Sequence, residues 1–219
     1  MSRSRPRAPA RKARAAYHHG NLRDALVEHA LALLEREGLA ALGLRAVARS
    51  AGVSGAAPYS HFADKASLLA AVAEVGFRRL TVALADASAA APPGDALRAQ
   101  ARAYVGFALR QRALYRLMFG PPFAAPDGHP ELAAASRECF AVIENAIRAR
   151  LGGPSGAGAT AQRAHPAAMG AWAMVHGLAM LLLDRRALES AAPRDEAVAL
   201  VDGVVGVFSA GLDRLRGER

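Results

Sequence analysis

Between positions 59 and 65 the chain reads Tyr-Ser-His-Phe-Ala-Asp-Lys, and three of those side chains suit one kind of partner. Tyr59, His61 and Lys65 bring a phenol, an imidazole and an ammonium group close together, and all three can reach phosphate oxygens. Lys65 also opens a new helical pattern, where free backbone N–H groups already favour an anion. Just upstream, Leu44, Val47, Ala48 and Ala51 share one face of a short helix, Gly52 supplies a turn, and Val53 points back inward. That is the pattern of two short helices set at a steep angle, the second of which can enter a groove of DNA. The groups available to meet DNA are Arg45, Arg49, Ser54, Gly55, Ala56, Ala57, Tyr59, Ser60, His61 and Lys65. Gly55, Ala56 and Ala57 offer base edges no side-chain hydrogen bond, and alanine can only touch a thymine methyl. Base reading therefore falls to Ser54, Tyr59, Ser60 and one of Arg45 or Arg49, while phosphate contacts carry much of the affinity, so binding should weaken steeply with salt.

Pro58 sits inside this reading segment, although proline has no N–H and crowds the preceding turn of a helix. With Ser54 as the cap, Pro58 falls at the end of the first turn and forfeits at most one internal bond. It shares a helix face with Phe62, four positions on, and adds apolar bulk to the wedge that Val47, Ala48, Ala51, Val53 and Phe62 form.

The elements needed to hold this segment are all helical in pattern. Leu22, Ala25, Leu26, His29, Ala30, Leu33 and Leu34 recur at helical spacing behind Asn21, a cap, and ahead of Gly38, a stop. A long helix runs from Asp64, its cap, towards Ala90, and APPGD at 91–95 breaks it. Helices follow over about 95–110, 112–119, 129–151, 166–186 and 194–216, with GGPSGAGATAQRAHP at 152–166 read as a mobile connection. The expectation is an all-α protein of about nine helices, with no strand pattern and no internal repeat.

Charge is concentrated at one end. Of the formal net charge of +9, six basic residues and no acid lie in residues 1–16, a basic arm ahead of a nearly balanced body. Such an arm fits a polyanion partner or a disordered solubilising tail, and charge alone leaves both open. No apolar segment follows these charges, so the arm does not read as a secretion signal. The apolar run 168–183 is 16 residues long and contains His176, which suits a buried core helix better than a membrane span. Cys139, the single cysteine, cannot form an intrachain disulfide, and cytoplasmic localisation is expected. Cys139 reads as a small core hydrophobe or, less simply, as a redox sensor.

Catalytic patterns are missing. There is no nucleophile elbow, zinc helix or paired Glu-x-x-His, and the glycine-rich GGPSGAGAT lacks the Lys-Ser/Thr end of a phosphate loop. His18 and His19 are adjacent, so their side chains diverge, and neither cysteine nor an acidic cluster accompanies them. No metal, cofactor or enzymatic activity is expected.

ALALLEREG, LRAVARSAGVS and PYSHFADKASLL, in that order, resemble the N-terminal domain and first connecting helix of the TetR family of bacterial transcriptional regulators. The likeness spans roughly residues 22–72. It implies a helix-turn-helix domain over 17–63, an effector-binding and dimerisation domain over 64–219, and phosphate contacts from Tyr59, His61 and Lys65. The family commonly has Gly-Thr-Leu or similar before the tyrosine, where this chain has Ala56, Ala57 and Pro58. RALYRLMFGPPF and the later WAMVHGL resemble the effector domain of the subgroup named for Trp-His-Gly, matched here by Trp172, His176 and Gly177. His176 is either satisfied by a neighbouring group or fixes a mostly apolar small effector, with Tyr115, Met118, Phe119, Phe123 and Trp172 as walls.

In the last helix Val198, Val201, Val205, Phe208, Leu212 and Leu215 alternate three and four apart. This seam reads as an intramolecular core face or as a face packed on a second copy of the chain, with Val201, Val205, Phe208 and Leu212 at the contact. The resemblance implies a homodimer, joined through its last two helices, on a palindromic double-stranded operator, acting as a repressor released by its effector. The rival reading is an architectural DNA-binding protein without a ligand.

Overall fold

The structure is a computed structural model that describes residues 22–120, 128–152, 157–184 and 194–217, and every regular element among them is helical. The basic arm, His18, His19, Asn21 and Phe123 lie outside the described residues. Eight α-helices follow in order: α1 Leu22–Glu37, α2 Leu44–Ala51, α3 Lys65–Ala90, α4 Ala96–Arg110, α5 Arg112–Met118, α6 Pro130–Leu151, α7 Ala157–Leu183 and α8 Arg194–Gly217.

In the head, α1 buries Leu26, Ala30, Leu33 and Leu34 against Val47 and Ala48 of α2 and against Phe62. Each fully buried leucine or valine contributes about 1.5–3 kcal/mol. Gly52 ends α2 in the left-handed region at φ 69°, and its N–H and that of Val53 close back on Ala48 and Arg49 carbonyls. Only glycine takes up that turn without strain.

The expected reading helix is tighter and shorter than an α-helix. Residues Ala57–Ser60 form a 3-10 turn with Pro58 in its first positions. The Ser54 carbonyl accepts from Ala57 N–H at 3.0 Å, because Pro58 has no N–H to complete the α-helical bond. The Pro58 carbonyl then accepts from both His61 and Phe62. Pro58 and Phe62 are buried, as the wedge requires. The missing α-helix accounts for eight helices among the described residues rather than about nine.

Asp64 caps α3 as its sequence position predicts. Its carboxylate accepts from the Ser67 N–H at 2.8 Å and the Ser67 hydroxyl at 2.7 Å, and the backbone bond, the larger effect, holds its pKa below the usual carboxylate value. From that cap α3 runs 26 residues, first through the head and then through the body, where it packs on α4, α5 and α6.

The connection expected over 152–166 is also shorter, since α7 begins at Ala157. Alanine-rich sequence favours helix through this stretch. Ala164 and Ala168 are buried on either side of Pro166, so tertiary packing outweighs the one hydrogen bond that the proline forfeits. Residues 162–183 of α7 are long and apolar enough to cross a membrane. In the fold, Ala171, Val175, Leu178, Ala179, Leu182 and Leu183 of this helix are buried in the bundle.

Candidate DNA interface and ligand cavity

The head presents one continuous outer surface. Arg45, Arg49, Ser54, Gly55, Ala56, Tyr59, Ser60, His61 and Lys65 are all exposed, and Ala57 is half-buried. Tyr59, at 53% exposure, is the most solvent-accessible aromatic side chain among the described residues. Arg45 and Arg49 make no ion pair among the described residues, which leaves both guanidinium groups available to an anion. Ser60 is less free, because its hydroxyl donates to the Ala57 carbonyl at 2.8 Å and so has only acceptor capacity left. His29 is tied to Ser50 at 3.0 Å between Nδ1 and Oγ, which joins α1 to α2 behind this surface.

In the body a cavity of about 400 Å³ opens between α3, α4, α6 and α7. Its walls are mainly apolar and aromatic: Phe77 and Leu80 of α3, Phe140 and Ile143 of α6, Trp172 of α7, and Phe119 just past α5. Such a size and lining suit a small, mostly apolar ligand. Cys139 belongs to the wall, and burial pushes its thiol up to about 11, so it is a neutral wall group rather than a reactive thiolate. Polar groups gather at the rim. Arg137 is exposed there, while Glu144 binds Arg148 at 2.9 Å and lies 3.8 Å from His165.

The sequence-based walls are partly displaced by this geometry. Phe119 and Trp172 line the cavity, but Met118 is turned away against Gly76 of α3. Tyr115 and His176 lie behind the aromatic wall in a polar cluster whose centre, Tyr104, the motif reading missed. Tyr104 Oη accepts from Trp172 Nε1–H at 3.1 Å and from the Tyr115 hydroxyl at 3.1 Å, and it is 3.1 Å from His176 Nδ1. Tyr115 Oη is itself 2.8 Å from that nitrogen. Burial lowers the His176 pKa and raises those of both tyrosines, so the ring is neutral and the phenols stay protonated. We therefore assign the tautomer with the proton on Nε2, leaving Nδ1 to accept from Tyr104, because the single Tyr115 proton is given to Tyr104 Oη.

A signal for Tyr104 was present. Leu97, Gln100, Ala101, Tyr104, Val105 and Ala108 form one buried stripe of α4, and its two polar members are four residues apart. Polar groups on a buried face need partners.

The predicted seam of α8 is core. Val201, Val205 and Leu212 are 1%, 3% and 3% exposed within the single chain, so they belong to its core, while Phe208 is half-buried and packs on Gly170 of α7. Ion pairs from Asp202 to Arg102 and from Asp213 to Arg150 turn this face of α8 inward. The outward face carries Gly203, Val207 and Gly211, with Val207 79% exposed, and Val204 at its edge is half-buried against the core.

A steeply set helix pair with a cationic outer surface, joined by one long helix to a cavity-bearing helical body, defines a two-part helix-turn-helix regulator. Residues 26–72 match the family described as bacterial regulatory proteins, tetR family, and residues 97–207 match the tetracyclin repressor-like C-terminal domain. The chain belongs to the TetR family: it is a DNA-binding transcriptional regulator, not an enzyme. A structure of a protein of unknown function from Rhodococcus sp. RHA1 is similar at TM-score 0.71 and 37% identity, covering 90% of this chain and 98% of that one. The regulatory protein SCO4313 is similar at TM-score 0.62 and 26% identity, over 89% of this chain and 95% of its own. Rv0681 of Mycobacterium tuberculosis H37Rv, an uncharacterized HTH-type transcriptional regulator, is 28% identical over 159 residues, 73% of this chain and 69% of that protein.

Proposed function

We propose that this protein is a ligand-responsive repressor that binds a palindromic operator as a cytoplasmic homodimer and leaves it when a small, mostly apolar effector enters the cavity. One observation carries the reading: α3 is a single 26-residue helix with Lys65 at the DNA-facing end and Phe77 and Leu80 in the cavity wall. A change of wall position tilts the same rod that holds the head.

In a dimer the two reading turns must sit about 34 Å apart to enter successive major grooves. Tyr59, His61 and Lys65 take phosphates, and Arg45, Arg49 and Ser54 supply what base or backbone reading the small residues Gly55, Ala56 and Ala57 cannot. An effector that fits the cavity better when α3 is tilted favours the wrong spacing and releases DNA. Only that difference in affinity between the two states drives the switch. The partner copy packs on the outward face of α7 and α8, where Leu181, Val204 and Val207 are apolar and Gly203 and Gly211 allow close approach.

Selection of bound DNA from a random pool by the purified protein tests the reading. An inverted repeat with half-sites one helical turn apart is expected, and a pool with no preferred sequence would instead favour architectural binding.

A further inference from the structure

Beside the main cavity lies a second, smaller chamber of about 30 Å³ between α3, α4, α6, α7 and α8. Tyr104 and Ile143 line both spaces, so these two side chains stand between the chambers. Leu84, Leu97, Val175, Val205 and Phe208 make the inner chamber mainly apolar, and besides Tyr104 it has one polar side chain. Gln100 lines it, is 4% exposed, and has a carbonyl oxygen with no hydrogen-bond partner.

The orientation of that amide is fixed from the other side. Gln100 Nε2 donates to Ser88 Oγ at 2.7 Å and to the Val142 carbonyl at 3.4 Å. A carbonyl can only accept, so the nitrogen must face Val142 and the oxygen must face away from it. An unmade bond at a buried acceptor is costly, and such atoms are rare unless something else uses them. A trapped water is a poor answer, since buried waters make about three hydrogen bonds. Here it would find one free acceptor, because the Tyr104 oxygen is already engaged by Trp172, Tyr115 and His176.

We propose that the effector is an elongated, mainly apolar molecule with a neutral hydrogen-bond donor, of the hydroxyl type, at its leading end, and that this donor passes Tyr104 and Ile143 to meet Gln100 Oε1. The group is neutral because no acid lines the inner chamber to balance an ammonium ion. The body of the molecule lies along Phe77, Phe140 and Trp172 in the outer chamber. This inference rests on the reading of the outer chamber as the effector site.

Trp172 is the single tryptophan of the chain and stands in the cavity wall, so its fluorescence reports occupancy. The full chain is titrated with 1-decanol and with 1-methoxynonane, which has the same number of heavy atoms and a similar length but no donor. In the wild type the alcohol should bind about tenfold more tightly than the ether, as one hydrogen bond to a buried acceptor allows. In Gln100→Leu and Gln100→Met the two probes should bind alike, with ether affinity no weaker than in the wild type. Equal affinities in the wild type would overturn the proposal and leave the effector reading standing. A preference that survives in both variants would overturn the role of Gln100. Titrations in which neither probe changes Trp172 fluorescence would overturn both readings.

Discussion

Tyr104 holds together three side chains from two other helices through a single oxygen, and that makes it the residue on which the body's polar cluster depends. Tyr104→Phe keeps the ring and removes the oxygen, leaving the Trp172 N–H without its partner. A loss of about 1–3 kcal/mol is expected, measured by urea unfolding at neutral pH. His176 gives the cluster a pH dependence of known sign. Burial lowers its folded-state pKa, so above the ordinary value near 6.5 neither state is charged and the group contributes nothing to the slope. Below that value the unfolded chain takes up a proton that the folded ring resists, and stability falls. Tyr104 and Tyr115 stay protonated throughout this window, because burial raises both. The urea midpoint of the wild type should therefore drop more between about pH 7.5 and 5.5 than that of His176→Asn, which keeps an acceptor near the Nδ1 position but does not titrate. Equal drops would show that the ring is not buried neutral. Trp172 and His176 were legible in the sequence because they share a helix face. For Tyr104 the stripe of α4 signals a buried polar group in need of a partner, but not its central place, which comes from the convergence of α5 and α7 on α4.

At the scale of elements, α5 is the piece that touches both halves, packing on α1 of the head and on α3. Its approach to α3 depends on Gly76, where a Cβ would stand 2.6 Å from Met118 Sδ and 3.1 Å from Leu114 Cδ1. Gly76→Ala is expected to cost about 1–3 kcal/mol by overpacking, and Met118→Ala about 2–5 kcal/mol by opening a void. In the double variant the new methyl group occupies part of that void, so the combined loss should fall short of the sum. Strict additivity in urea unfolding would mean that α3 and α5 do not press on each other there. The reading turn makes a second case. Pro58→Leu restores an N–H that the Ser54 carbonyl can accept, at a buried site where bulk is already tolerated, so the fold should survive with a change under about 1.5 kcal/mol. Loss of the helical circular dichroism signal would contradict that. The helix starts and stops at Leu22, Asp64, APPGD and Arg112 were legible because caps and breakers act locally. The extension of α7 back to Ala157 was not, since glycine and proline argued against helix there and only burial of Ala164 and Ala168 overrules them.

For the whole molecule the question is which face of α8 is free. The three-four spacing of Val201, Val205 and Leu212 correctly marks an apolar stripe, yet a stripe does not say whether its partner is the same chain or another. Intramolecular burial answers that for these residues, and Asp202 and Asp213 fix the rotation of α8 through their arginine partners. What remains outward is Gly203, Val207 and Gly211 on α8 and Leu181 on α7, with Val207 the most exposed large apolar side chain among the described residues. This is the surface proposed above for the partner copy, and an apolar side chain as exposed as Val207 gains by being covered. Val207→Arg places a charge at its centre without touching the core, so the melting temperature of the isolated fold should change little, while association would have to bury an unpaired guanidinium. Sedimentation equilibrium should show the wild type as a dimer and Val207→Arg shifted towards monomer by at least about tenfold in dissociation constant. Operator affinity should fall with it, because a monomer engages one half-site and loses the gain of tethering two heads. A variant that stays dimeric would move the interface off this face of α8. One that becomes monomeric yet binds the inverted repeat as tightly as before would remove the dimer from the mechanism.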